Sequence, residues 1–71
     1  MAKPTRVSNA IRDHRDASGM TQAELARRLG VTRQTVIAIE QGRYSPSLEL
    51  AFQIAAEFGV GIDDVFSYDR G

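Results

Sequence analysis

The sequence predicts an all-α domain, or nearly so. Three observations carry that expectation. Glycines stand at positions 19, 30, 42, 59 and 61, and the intervals between them are helix-sized. Within those intervals the apolar residues recur at helical spacing. Only the two ends of the chain could be extended. The 71 residues make one small domain (1–71), whose core is marginal because small chains bury a lower fraction of their surface. With no cysteine in the chain, neither a disulfide framework nor a thiolate metal site can help, and oligomerisation is expected instead.

The first helix is expected over Ser8 to Ala17, with Val7, Ile11 and His14 on one face and Ala10 and Ala17 beside them. The second starts after Thr21, where Thr21-Gln22-Ala23-Glu24 fits a capping box: the hydroxyl accepts the amide of Glu24 and the glutamate reaches back to the amide of Thr21. Met20 and Leu25 flank that cap as a hydrophobic staple. The helix ends at Leu29, with Gly30 suited to the left-handed conformation. Thr32 caps the third helix, Val31 and Val36 form a second staple, and Val36 and Ile39 face inward. Gln41-Gly42 ends it.

In "RYSPS" either Ser45 or Ser47 can cap the fourth helix, and Pro46 favours its start. In "SLELAFQIAAEF" the polar residues Glu49, Gln53 and Glu57 recur every four positions, one wet stripe on an otherwise apolar central helix. A short fifth helix, Ile62 to Phe66, packs Ile62, Val65 and Phe66. All five aromatics lie at Tyr44 or later, so most of the core volume is expected from that half.

Net charge is zero, which alone argues weakly against a nucleic-acid partner. The distribution says more. Residues 1–43 carry eight basic groups and four acids, whereas residues 44–71 carry one and five. A domain polarised in this way can present a basic face to a polyanion; the alternative is an ordinary charge-mixed surface.

The segment from 21 to 41 holds two helices, eight and nine residues long, joined by Gly30-Val31-Thr32, which is the helix-turn-helix pattern. Ala26 has to be small where the third helix crosses it, and Gly30 supplies the positive φ of the turn. Leu25, Leu29, Val31, Val36 and Ile39 cement the pair.

With those residues in place, "MTQAELARRLGVTRQTVIAIEQGRYSPSLELAFQIAAEFGVGIDDVF", about two thirds of the chain, resembles the Cro/C1-type (XRE-like) helix-turn-helix family of bacterial and phage DNA-binding regulators, and its short single-domain members most. The resemblance implies a five-helix, lambda-repressor-like DNA-binding domain. It also implies a homodimer on a pseudo-palindromic double-stranded DNA operator, and control of transcription, often repression.

The third helix then lies in the major groove. Arg33 and Gln34 stand at its start, where base edges are usually read. Arginine suits guanine O6 and N7, glutamine suits adenine N6 and N7, and Ile37 can rest on a thymine methyl. Ala38 lets the helix come close. An exposed Ile37 would otherwise lack a cause. Gln22, at the start of the second helix, faces an approaching phosphate; in the family this position contacts the backbone and can brace the glutamine of the recognition helix, here Gln34. Thr35, Gln41 and Arg43 match phosphate-contacting positions. Tyr44 either joins them through its hydroxyl or forms an aromatic lid on the core. Arg27 and Arg28 read as electrostatic background. Arg15 and Glu40 match a pair by which the family ties the first helix to the third; Glu40 sits at a helix C-terminus, where the macrodipole disfavours a carboxylate.

Short members of the family often pair a C-terminal strand with an N-terminal one. "VFSYDR" can be extended and "TRV" is its expected partner, with Pro4 limiting the run. Val65 and Tyr68, in a dimerisation segment spanning 62–70, are the expected dimer contacts together with Phe52; the same residues could instead close the monomer core. His14 departs from the apolar residue usual at its position and reads as a half-buried core histidine or, alternatively, a pH switch.

Other classes fit less well. No cofactor is expected, and a lone histidine without cysteine disfavours a metal. No enzymatic triad is evident. No stretch is long or apolar enough to span a bilayer, and "MAKPTR" precedes no apolar signal region, so a cytoplasmic protein is expected; the short length leads to the expectation of no small-molecule ligand. The main rival is a protein-binding module, antitoxin-like or adaptor, whose helix-turn-helix packs on a protein partner. Single-stranded RNA is disfavoured, because no aromatics are interleaved with the basic residues.

Overall fold

The computed structural model describes residues 5–70. In chain order the elements are β1 (Val7–Asn9), α1 (Ile11–Ser18), α2 (Gln22–Leu29), α3 (Arg33–Glu40), α4 (Leu48–Phe58), α5 (Ile62–Val65) and β2 (Phe66–Tyr68). Five helices form the body, and β1 and β2 pair antiparallel with Val7 opposite Tyr68 and Asn9 opposite Phe66. The Asp69 amide extends the ribbon by donating to the Arg6 carbonyl at 2.8 Å.

The first helix starts three residues later than its periodicity suggests, and Ser8 and Asn9 are strand. The cause is Asn9. Its Oδ1 accepts the Ile11 amide at 3.2 Å, so a side chain outside the helix satisfies a first-turn donor. Its Nδ2 donates to the Ile39 carbonyl at 2.8 Å, which also satisfies one of the last acceptors of α3. The ribbon partner therefore starts within "TRV", at the Arg6 carbonyl and Val7, and runs on to Asn9; Pro4 lies outside the described residues. Phe66 belongs to β2, not to the fifth helix.

The caps are local and follow the sequence. Thr21, Thr32 and Ser47 each accept the amide three residues on, at 3.0, 3.2 and 3.1 Å. Ser45 instead meets the hydroxyl of Thr5. Only half of the Thr21–Glu24 capping box forms, because the Glu24 carboxylate is taken by Arg27 and Arg28. Gly30 has φ +72°, and Val31 donates to the Ala26 carbonyl at 3.0 Å, the six-to-one bond of a Schellman turn. That turn sets the angle between α2 and α3.

The core is aliphatic. Ile11, Leu25, Val36, Ile39 and Ile54 are its largest fully enclosed side chains, with Ala26, Ala51, Ala55 and Val65 filling the close approaches. Met20, Leu29, Val31, Leu50, Phe58, Val60, Ile62 and Phe66 pack around them. The aromatic half does not supply most of this volume: Phe58 and Phe66 are half-buried, while Tyr44, Phe52 and Tyr68 are exposed. Ala17 is also exposed. The polar stripe of α4 is Glu49, Gln53 and Glu57 as expected, but the rest of the helix is not all buried. It turns Ala51, Ile54 and Ala55 inward, which leaves Leu48, Phe52 and Ala56, spaced by four, on a second exposed stripe. Among the described residues no helix is long and apolar enough to cross a membrane.

Candidate nucleic-acid interface

The third helix presents two faces. Val36 and Ile39 are each 2% exposed and fix it to the core. Arg33 and Gln34 are exposed at its N-terminal end, whereas Ile37 and Ala38 are half-buried and so less exposed than the sequence suggests. Arg33 has no ion-pair partner among the described residues. Thr35 is half-buried, and its hydroxyl lies 3.0 Å from that of Thr32. Gln41, Arg43 and Tyr44 continue outward past the helix end, all exposed.

Beneath this face lies a buried polar hub. Arg15 Nε donates to Glu40 Oε2 at 2.7 Å and Nη2 to Oε1 at 3.1 Å, while Nη1 donates to the Met20 carbonyl at 3.0 Å. The pair joins α1 to the last residue of α3, where the carboxylate meets the negative end of the helix dipole. The hydrogen bond to Glu40 raises the Arg15 pKa against the opposing pull of desolvation. Among the described residues no buried side-chain nitrogen or oxygen is left without a partner. Gln22 joins the hub, its Nε2 donating to Glu40 Oε1 at 3.2 Å. It is thus braced by Glu40 rather than bracing Gln34.

Gln22, Arg33 and Gln41 come together around one open cleft of about 880 Å³, which also takes in Arg12, Asp16, Arg15 and Glu40. Gln34, Ile37, Ala38, Arg43 and Tyr44 lie outside it. Arg12 was not among the residues that motif matching singles out. Its signal was its place one turn before Arg15 on the same helix.

Arg27 and Arg28 are engaged elsewhere. Both bind Glu24, at 2.6 and 2.8 Å, and Arg28 also reaches Glu57 on α4 at 3.4 Å. Hydrogen bonds from Arg27 and Arg28 hold the Glu24 carboxyl down at about 2, and the same bonds raise both guanidinium pKa values.

The expected dimer contacts separate. Val65 is 2% exposed and belongs to the core of the monomer, so it cannot serve a second chain. Phe52 and Tyr68 are 54% and 63% exposed. Leu48, at 69% exposed, adjoins Phe52 one turn away and carries no role in the sequence reading. His14 is half-buried; its ring stacks on Phe58 with centroids 5.3 Å apart, and its Nε2 lies 3.1 Å from the Asp64 carbonyl. Those are the contacts of a packing histidine. Among the described residues no group of three or more histidine, cysteine or acidic side chains could hold a metal.

A family model described as helix-turn-helix matches residues 11–65. An HTH-type transcriptional regulator of Methanocaldococcus jannaschii is 52% identical over 63 residues, which cover 89% of this chain and 96% of that protein. Another from Methanothermobacter thermautotrophicus is 60% identical over 61 residues, 84% of this chain and 88% of the relative. Among solved structures, the restriction-modification controller protein of Aeromonas hydrophila superposes with a TM-score of 0.70 at 28% identity, covering 76% of this chain and 78% of that one.

Proposed function

Because the chain belongs to the Cro/C1-type helix-turn-helix family, matched over residues 11–65, we propose that it is a sequence-specific transcriptional regulator that binds duplex DNA as a homodimer. The observation that carries this reading is the free face of α3. Arg33 and Gln34 project unpaired from a helix start that Thr32 caps and Gly30 aims, with Ile37 and Ala38 one turn behind. In a major groove Arg33 would take guanine O6 and N7, Gln34 adenine N6 and N7, and Ile37 a thymine methyl. Each good bidentate pair discriminates by about 1–3 kcal/mol. Gln22, Thr35, Gln41, Arg43 and Tyr44 flank that face and serve as backbone contacts, which set register without reading sequence. The names of the archaeal relatives, both transcriptional regulators, support the same role. Occupying an operator that overlaps a promoter excludes polymerase, so repression is the simplest consequence of binding.

The dimer is supported by the apolar surface of α4. Leu48 and Phe52 are large, exposed and one helical turn apart, and Tyr68 is a further large exposed side chain. A second copy meeting through such patches would place two recognition helices for an inverted repeat whose half-sites lie about 34–36 Å apart.

Selection of random duplex DNA by the purified protein tests the reading. An enriched inverted repeat is expected, with preference at one base position per half-site relaxed by Arg33→Ala. No enriched motif, together with feeble binding insensitive to salt, would overturn the proposal in favour of a protein partner.

A further inference from the structure

The arginines of the described chain are not equally available. Arg15, Arg27 and Arg28 are each held by a carboxylate at 3.4 Å or less. Arg12 is different. Its one ion-pair contact is Asp16 at 3.9 Å, and the two side chains are 79% and 65% exposed. An exposed pair one helical turn apart, at that separation, is weak and easily exchanged for another anion. Yet Arg12 lines the same open cleft as Gln22, Arg33 and Gln41.

The charges around that cleft favour an anion. Three arginines and two carboxylates line it. One carboxylate, Glu40, is neutralised by the paired Arg15. Asp16 is the only other negative group, and Arg12 is its counter-charge. Arg33 is left over. The remaining side-chain donors are the amides of Gln22 and Gln41 and the hydroxyl of Thr21. An open, polar cleft with surplus positive charge suits a solvated phosphodiester.

We propose that Arg12 is a DNA-backbone contact: a phosphate of the duplex sits in the cleft between α1 and the start of α2, so α1 grips the DNA alongside α2 and α3. The inference rests on the reading of α3 as the base-reading helix, because the cleft shares Arg33 with that face and so opens toward a strand bordering the groove. Arg12 then swings from Asp16 to the phosphate. Arg27 and Arg28, already neutralised by Glu24 and Glu57, contribute no contact.

The test is a titration of a mixed-sequence duplex with the full chain over a series of salt concentrations. Wild type, Arg12→Gln, Arg12→Lys and the double variant Arg27→Gln/Arg28→Gln are compared. Wild-type affinity should fall steeply with salt as counterions are released. Arg12→Gln should lower the slope of log affinity against log salt by about one, equally on every duplex. Arg12→Lys should restore that slope, which a merely structural role would not do. The double variant should keep the wild-type slope. A steep wild-type slope that Arg12→Gln leaves unchanged overturns the role of Arg12 while leaving the DNA-binding reading intact. A wild-type protein with no salt-dependent binding overturns both.

Discussion

Arg15 and Glu40 lie 25 positions apart and meet through two hydrogen bonds of 2.7 and 3.1 Å, with side chains only 10% and 9% exposed. The pair is a buried tie between the first helix and the end of α3. Burying two charges costs solvation that their attraction only partly repays, so the tie fixes geometry more than it adds stability. Losing one partner is another matter. Glu40→Ala should destabilise the fold by about 3–5 kcal/mol, because Arg15 is left buried and uncompensated. Replacing both by apolar residues, as in Arg15→Met with Glu40→Leu, should cost much less than the two single changes added together. Urea unfolding of wild type, Arg15→Met, Glu40→Leu and the double variant measures the coupling, and that of Glu40→Ala the cost of the unpaired arginine; a coupling energy near zero would remove the tie from the account of the fold.

Gly30 gives a cleaner test of backbone conformation. A Cβ built there meets nothing within 4 Å, so only its φ of +72° resists a side chain. Gly30→Ala should therefore cost about 1–2 kcal/mol, the left-handed penalty alone. A loss several times larger in chemical denaturation would mean that the turn is crowded after all.

Thr32 should show the ordinary worth of a cap. Its hydroxyl accepts the Thr35 amide at 3.2 Å and anchors the end of α3 that carries Arg33 and Gln34. Thr32→Ala is expected to cost about 1 kcal/mol. An unchanged melting temperature would show that water replaces the cap at no cost.

Glu24 supplies a pH signature. Its carboxyl is held at about 2, below the ordinary 4.5, first by the hydrogen bond from Arg27 and then by that from Arg28. A depressed carboxylate stabilises the folded state above its unfolded value, and the contribution drains away as pH falls from about 4.5 toward 2. Solvent around the trio limits its size. The stability difference between wild type and Glu24→Gln should therefore shrink over that window and also shrink with added salt. A difference that stays flat from neutral pH to pH 2 would contradict the ion trio.

Phe52→Lys should leave the monomer fold intact, because the side chain is 54% exposed, and should abolish self-association. Analytical ultracentrifugation of both proteins decides. Wild type that sediments as a monomer at micromolar concentration would remove the dimer from the proposal.

What the sequence made legible is mostly local. Caps at Thr21, Thr32 and Ser47 act over three residues, and the Gly30 turn over six, so a short window contains every atom involved. The longer-range features were visible only in part. Arg15 and Glu40 could be paired by family resemblance but by no spacing rule. Asn9 looked like helix because its two partners, Ile11 and the distant Ile39 carbonyl, are joined only in the folded chain. Val65, expected at a dimer contact, and Leu48, given no role, could not be told apart for a similar reason. Both are aliphatic, and only the packing angle of α4 and α5 decides that one is 2% and the other 69% exposed. Gln22 could be placed at the site, but its attachment to Glu40 depends on how close α2 and α3 cross.

The ribbon that joins Val7 to Tyr68 has a mechanical consequence. Because its strands run antiparallel and the chain leaves it on both sides from the same end, tension applied to the two ends would peel it bond by bond rather than shear it. Next in line is the Ala10 amide, bonded to the Val65 carbonyl at 2.8 Å, and behind it α1. Drawing α1 away would pull Arg15 from the end of α3 and strand Glu40 without its counter-charge. The ribbon thus acts as a rip-cord: the bonds first in line under load lead, through α1, to the residue that ties down α3.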